Sequence, residues 1–227
     1  MIDLELIGKG NTASVYKYDA NKIVKIFVKG YDEKSIVSES KKAILFTSLV
    51  KNSAKCYGLV KIDDQLGIVY DYINGQSLLD YYYASQDGVF LLETLVNMHK
   101  EILQKKCEEA MSYKDFLMYY CEDELTRKKI EALPDESYLC HGDFHPGNIM
   151  IDKDRNYYVI DFNNVVKGPK EYDVARAYFL IKGGLDKPTE LQEIMANLYL
   201  EVMGYTINDI NKYLDVLRAC RRKEMCR

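Results

Sequence analysis

The sequence predicts an α+β chain: a five-stranded antiparallel sheet with one helix in residues 1–73, followed by a mostly helical part in residues 74–227. Three observations predict it. Short apolar runs separated by turn residues fill the first third, and alternation within them marks half-buried strands. Longer segments with apolar residues at helical spacing fill most of the remainder. At 227 residues the chain can bury a sizeable core, as one domain or as a compact two-lobed unit.

Residues 2–7 alternate apolar and acidic side chains and run into Gly8-Lys9-Gly10-Asn11-Thr12-Ala13-Ser14-Val15-Tyr16, a strand, turn, strand pattern. Glycines there let backbone approach a phosphate closely, although an ordinary hairpin turn has the same look. Residues 22–28 form the third strand, with Lys25 set between Val24 and Ile26. An amphipathic helix follows over residues 32–50. Residues 57–62 and 66–72 pair across Asp63-Asp64-Gln65 and complete the five strands, and Ile73-Asn74-Gly75 then breaks the pattern. A helix begins at Ser77 and carries Tyr81, Tyr82 and Tyr83; another spans residues 89–107, with Leu91, Leu95, Met98 and Ile102 at core spacing. Residues 113–133 form one further helical stretch in which aromatic residues stand beside acids. Residues 148–152 and 156–160 make a hairpin across Lys153-Asp154-Arg155. Asp173 stands where an N-cap would and opens an amphipathic helix, and two more helices cover residues 190–203 and 207–217.

Chemistry concentrates between Leu139 and Arg176, which reads LCHGDFHPGNIMIDKDRNYYVIDFNNVVKGPKEYDVAR. Asp143 lies in the turn His141-Gly142-Asp143, and Asn148 follows five residues on, with Pro146 and Gly147 bending the loop between them. A carboxylate and an amide so spaced point into one site. Asp161 ends the hairpin, where apolar strands deliver a lone acid able to hold a metal. Singly, these residues also suit a turn former, a loop residue and a strand terminator. Jointly they match phosphoryl transfer, whose charge-rich transition state needs an oriented acceptor hydroxyl and Mg²⁺ held against the phosphates. HGDFHPGNIMID, followed by VIDF and EYDVAR, resembles the aminoglycoside phosphotransferase and choline kinase superfamily of small-molecule kinases, and more narrowly the bacterial phosphotransferase enzyme family members of unassigned substrate.

That resemblance implies a two-lobed protein-kinase-like fold using ATP and Mg²⁺ to phosphorylate a hydroxyl of a small molecule. It casts Asp143 as base, and Asn148 and Asp161 as metal ligands. The turn of Gly8, Gly10 and Thr12 would cover the phosphates; Ala13 stands where protein kinases place a third glycine. Lys25 becomes the phosphate-binding strand lysine, paired with a helix glutamate, for which Glu39 is the candidate and Glu33 the competitor. Asp71, Tyr72 and Ile73 occupy the hinge whose backbone meets adenine. His141 would brace the loop, His145 pack or hydrogen-bond locally, and Asp173 accept hydrogen bonds from the loop backbone, while His99 reads as structural. The aromatic and acidic residues of 113–133 are open to two readings, a pocket for a cationic or polyhydroxylated acceptor, or core and solvated face.

Composition narrows the alternatives. A net charge of −4 and a pI near 5.5 argue against a general nucleic-acid binder. Arg218, Arg221, Arg222, Lys223 and Arg227 against Glu224 suit a helix dipole. The six cysteines contain no C-x-x-C pair, and no apolar run reaches the ~20 residues of a membrane span, so a cytoplasmic protein with reduced thiols is expected. Two further functions remain: a small atypical protein serine/threonine kinase, and a nucleotide-binding pseudokinase. Only eleven residues separate Asp161 from Asp173, too few for an activation loop and a peptide-docking segment. The intact Lys25, Asp143, Asn148 and Asp161 argue against loss of catalysis.

Overall fold

The computed structural model describes residues 4–10 and 12–225. Ile2 and Asp3 of the first expected strand, Asn11 of the glycine turn, and Cys226 and Arg227 of the basic end lie outside the described residues. In chain order, strands β1 (Leu6–Lys9), β2 (Ala13–Lys17) and β3 (Lys22–Phe27) precede helix α1 (Glu33–Leu49), and β4 (Cys56–Ile62), β5 (Gln65–Asp71) and a short β6 (Gly75–Ser77) follow it. Next come α2 (Leu78–Ser85), α3 (Gly88–Ile102), α4 (Tyr113–Tyr120) and α5 (Glu124–Glu131). Then β7 (Tyr138–Cys140), a 3-10 turn at Pro146–Asn148, β8 (Ile149–Asp152), β9 (Tyr157–Val159) and β10 (Val166–Gly168) lead into α6 (Lys170–Ile181), α7 (Glu190–Met203) and α8 (Ile207–Glu224).

Contacts divide these elements into two compact units, one running to Ser77 and including Ile149–Asn163, the other comprising Leu78–Asn148 and the residues from Asn164 onward. The sequence reading divided the chain after Ile73 and kept residues 149–163 with the second lobe. Backbone pairing accounts for the difference: β6, β8 and β9 form a three-stranded antiparallel sheet, with Gly75 opposite Asp152 and Ile149 opposite Val159. Gly75 makes that sheet possible, since a Cβ there would run into the carbonyl of Ile151.

The α+β class is as expected. In the first unit the large sheet has the order β1-β2-β3-β5-β4, antiparallel throughout. Val24, Ile62 and Val69 form a buried cluster with Leu4, Tyr16, Ile26 and Val60 packed against it. Helix α1 starts at Asp32, whose carboxylate accepts the Ser35 N–H at 2.9 Å, and turns Ile36, Glu39, Ser40, Ala43 and Phe46 inward.

In the second unit α6 is buried on every side from Tyr172 to Phe179, with α7 and α8 packed on it and α4 packed on α8. Asp173 therefore lies inside a helix whose N-cap position is Pro169, and the N-cap reading is corrected. The single helical stretch expected at 113–133 is two helices, because the Asp123 side chain accepts the Thr126 N–H at 2.8 Å and starts α5 anew. Tyr113, Phe116 and Tyr120 of this stretch are buried, while Tyr119, Asp115, Glu122 and Glu124 are exposed. Helix α3 stops at Ile102, and Lys106 beyond it bridges to Tyr138. Helix α8 continues past Leu217 because Cys220 extends the buried face of Ile210, Tyr213, Leu214 and Leu217. Five cysteines are described, all free and buried, and no helix among the described residues is long and apolar enough to cross a membrane.

Gly75→Ala is expected to destabilise the protein by ~1–3 kcal/mol, the range for forcing atoms into a packed site. Gly88→Ala should remain within ~0.5 kcal/mol of wild type, since its Cβ would meet only a Tyr82 ring carbon at 3.7 Å. Urea unfolding of both variants reads the contrast; equal stability would refute the close approach of β6 and β8.

Candidate functional site

A pocket of about 550 Å³ lies within the first unit. Gly8, Gly10, Thr12, Lys25, Glu39, Asp71, Tyr72, Ile73 and Asp161, each expected from the sequence, all line it. Strand β3 carries Lys25 between Val15 of β2 and Ile68 of β5. Its ammonium lies 2.6 Å from Glu39 Oε1 and 3.8 Å from Asp161 Oδ1. Burial works against the Lys25 charge, but the carboxylates of Asp161 and Glu39 more than offset it and hold its pKa above the ordinary lysine value. Burial raises the Glu39 pKa, and the short ion pair with Lys25 offsets only part of that rise. Glu33, the competitor, stands exposed in the first turn of α1 and does not line the pocket.

Asp161 sits at φ 61°, in the left-handed region that a non-glycine residue enters at a cost of ~1–2 kcal/mol. The turn separates neighbouring side chains: Phe162 is buried, its ring 4.9 Å from that of Phe46, while the Asp161 carboxylate stays 43% exposed beside the lysine. Apolar residues that the sequence reading did not single out complete the lining, among them Val15, Ile23, Ala54, Met150 and Ile160. Their side chains bring no hydrogen-bonding groups to the lining.

In the second unit, β7 leads into the turn that bears Asp143. Gly142 has φ 74°, and a Cβ there would strike the carbonyl of Asn164, so glycine alone fits. The two oxygens of Asp173 accept the N–H groups of His141 at 2.8 Å and Gly142 at 2.9 Å. His99 Nε2 is 3.1 Å from the same carboxylate, and its Nδ1 is 2.6 Å from the Tyr199 hydroxyl. With Asp173 an acceptor, His99 donates from Nε2 and accepts the Tyr199 proton at Nδ1. Burial alone would raise the Asp173 pKa, but the hydrogen bond from His99, the neighbouring His141 and the loop amides outweigh it and hold that carboxyl below the ordinary aspartate range. His141 Nδ1 accepts the Asp143 N–H at 3.2 Å, and His145 Nδ1 accepts the Gly147 N–H at 3.1 Å. The readings of His99 as structural, His141 as a loop brace and His145 as a local partner agree with these contacts.

Asp143 and Asn148 are brought together. The Asn148 amide donates to the Asp143 carbonyl at 2.8 Å and to its carboxylate at 3.2 Å, which leaves the Asn148 Oδ1 for another partner. Asn148 belongs to the second unit and Asp161 to the first.

Residues 106–205 match the model of the Phosphotransferase enzyme family. Among solved structures, a thermostable mutant of aminoglycoside phosphotransferase APH(4)-Ia in its apo form superposes with a TM-score of 0.67 at 14% identity, covering 98% of this chain and 86% of that one. The fold is that of the aminoglycoside phosphotransferases. APH(3'')-Id from Streptomyces rimosus, solved with ADP and streptomycin, covers 95% of this chain and 92% of its own at 12% identity and a TM-score of 0.59. APH(2")-IIa in a streptomycin–ATP ternary complex gives 0.61 at 15% identity, covering 94% and 81%. No curated protein matches the sequence. The resemblance read from HGDFHPGNIMID, VIDF and EYDVAR thus holds, and in this phosphotransferase-like chain those motifs carry the loop, the left-handed aspartate and α6.

The Asp173 carboxyl gives this fold a pH signature. Its folded pKa is depressed, so its contribution is fully present above the unfolded value and is lost as pH falls through the folded one. Asp173→Asn should therefore cost stability at pH 7 and progressively less than that below about pH 4. Urea unfolding of both proteins from pH 7 to 3 checks it; a cost independent of pH would show that the carboxylate charge is not what holds the loop.

Proposed function

We propose that the chain is an ATP-dependent phosphotransferase that moves the γ-phosphoryl group to a hydroxyl of a small molecule. The observation that carries the reading is the Lys25 ammonium held between Glu39 and Asp161 in a pocket that the glycine turn also lines. Two supports come from outside the pocket: residues 106–205 match the Phosphotransferase enzyme family, and neighbours of the same fold were solved with ADP or ATP.

In this reading the apolar lining takes the adenine and the hinge backbone its polar edge. Of the three hinge amides, Asp71 N–H already donates to Lys55 O at 3.0 Å and Tyr72 N–H to Asn21 O at 2.8 Å, while Ile73 N–H has no hydrogen-bond acceptor among the described residues. Ile73 N–H is therefore the hinge donor. Lys25 binds phosphate oxygens as a point charge, and Glu39 fixes its direction.

Mg²⁺ takes hard oxygen ligands, and the outward Asp161 carboxylate and the unused Asn148 Oδ1 are of that kind. When bound, the ion supplies neutralisation of the charge on the transferring phosphoryl group. Asp143 orients the acceptor hydroxyl and accepts its proton, and His141 and Asn148 hold the backbone and carboxylate that do so.

A screen of hydroxyl compounds with purified protein, Mg²⁺ and ATP should find ADP release with some small alcohol or sugar and leave generic protein substrates unlabelled. Efficient labelling of serine or threonine in a protein would replace this reading with that of a small atypical protein kinase. No release with any acceptor, despite ATP binding, would leave a nucleotide-binding pseudokinase.

The two acids should fail differently. Asp143→Asn is expected to keep nucleotide affinity and lower turnover by ~10²–10⁴-fold, the usual contribution of a general base. Asp161→Asn should weaken Mg²⁺-dependent ATP binding as well, with partial recovery at higher Mg²⁺. Calorimetric titration of ATP with and without Mg²⁺ separates them, and equal loss of affinity in both variants would contradict the division of roles.

A further inference from the structure

Arg176 follows Asp173 by one turn on α6 and is 2% exposed. Its Nε donates to the carbonyl of Gly142. The same peptide plane carries the Asp143 N–H, which donates to His141 Nδ1 at 3.2 Å. The plane leading into Asp143 is thus held at both its oxygen and its hydrogen, and that orientation sets the direction in which the Asp143 side chain leaves the backbone. Asp173 fixes the preceding plane through the Gly142 N–H.

What holds Arg176 is the last turn of α8. Glu224 Oε2 accepts from Arg176 Nη1 at 3.2 Å and Glu224 Oε1 from Nη2. The planar fork of five donors lets one guanidinium serve the carboxylate and the Gly142 carbonyl together, which a lysine cannot do. The Glu224 side chain is 8% exposed, and it also meets Arg221 Nη1 at 3.0 Å and Asn164 Nδ2 at 3.3 Å. Asn164 is the residue whose carbonyl bounds Gly142, so Glu224 reaches the turn by two routes. The ring of Phe116 closes the cage 5.3 Å from Arg176 Cζ. Burial opposes ionisation of Glu224, and Arg176 and Arg221 overcome it, bringing its carboxyl below the ordinary glutamate range.

We propose that Arg176 and Glu224 are positioning residues for phosphoryl transfer, the end of α8 holding the Asp143 loop in its working conformation through the Arg176–Gly142 hydrogen bond. The inference rests on the reading of Asp143 as the base. Neither residue touches a reactant. A misplacement of the order of an ångström at a reacting group costs on the order of 100-fold in rate, so loosening one peptide plane is expected to be visible in turnover while nucleotide binding, which the first unit's pocket performs, is spared.

The test compares Glu224→Gln, which removes the charge and keeps the shape, with Arg222→Gln, which removes a charge from the same turn of α8 outside the cage. For Glu224→Gln, kcat for ADP release from Mg·ATP should fall roughly 10- to 100-fold, with the KM for ATP unchanged. Hydrogen exchange in the segment 139–148 should quicken roughly 10-fold while that of β2 and β3 stays at the wild-type rate. Arg222→Gln should match wild type in all of these. If Glu224→Gln fails to fold, Glu224→Asp, which keeps the charge but shortens the reach, carries the same comparison. The proposal is overturned if kcat is unchanged, whether or not exchange quickens, if kcat falls while loop exchange does not change, if ATP affinity falls in step with kcat, or if Arg222→Gln has the same effect. Absence of ADP release in the wild type would instead remove the functional reading, and the exchange arm would still decide whether Glu224 holds the turn.

Discussion

A carboxylate with no access to water must be met by donors, and Asp173 is such a carboxylate. An isolated buried charge costs several kcal/mol, so the second unit is arranged to answer it. His99 comes from α3, its orientation set by Tyr199 of α7, and the remaining donors are backbone N–H groups of His141 and Gly142. Because those two amides belong to the turn bearing Asp143, the electrostatic demand of the core becomes a geometric constraint on the loop. Arg176 applies the same logic with opposite sign, satisfying itself on the Gly142 carbonyl and on Glu224. An acid and a base one turn apart thus grip the two faces of a single residue.

The first unit uses charge differently. Lys25 sits in a mostly apolar lining, and the two carboxylates that face it hold its pKa up against burial. One of them, Glu39, is buried and rigidly placed by α1. The other, Asp161, is exposed and held in a backbone conformation that costs energy. A buried partner suits a permanent brace, and an exposed, strained partner suits a group that exchanges its lysine contact for a ligand.

The pocket is legible through the motif resemblance: singly, the glycine turn also suits an ordinary hairpin, Lys25 a solvated strand lysine and Asp161 a strand terminator. The large sheet was legible because its strands are long enough to display alternation. Strands β6, β7 and β10, at three residues each, are too short for any period to appear, and they pair only because distant backbone is brought alongside. Glu39 and Glu33 could not be separated by pattern, since the buried face of α1 is settled by what packs on it. The break before α5 was missed because apolar spacing runs through it, although Asp123 carries the capping signal. No pattern pairs Arg176 with Glu224: they stand 48 residues apart in the sequence, and their burial is a property of the fold alone.

Helix ends are ordinarily the loosest part of a structure, where a turn melts and re-forms at little expense because its side chains stay wet in either state. The last turn of α8 lacks that freedom. If it frayed, Glu224 would leave and a guanidinium sealed between α4 and α6 would lose its counter-charge, so local melting there carries the penalty of an unpaired ion in the core. The end of α8 should accordingly resist trimming and proteolytic nicking as a core segment does.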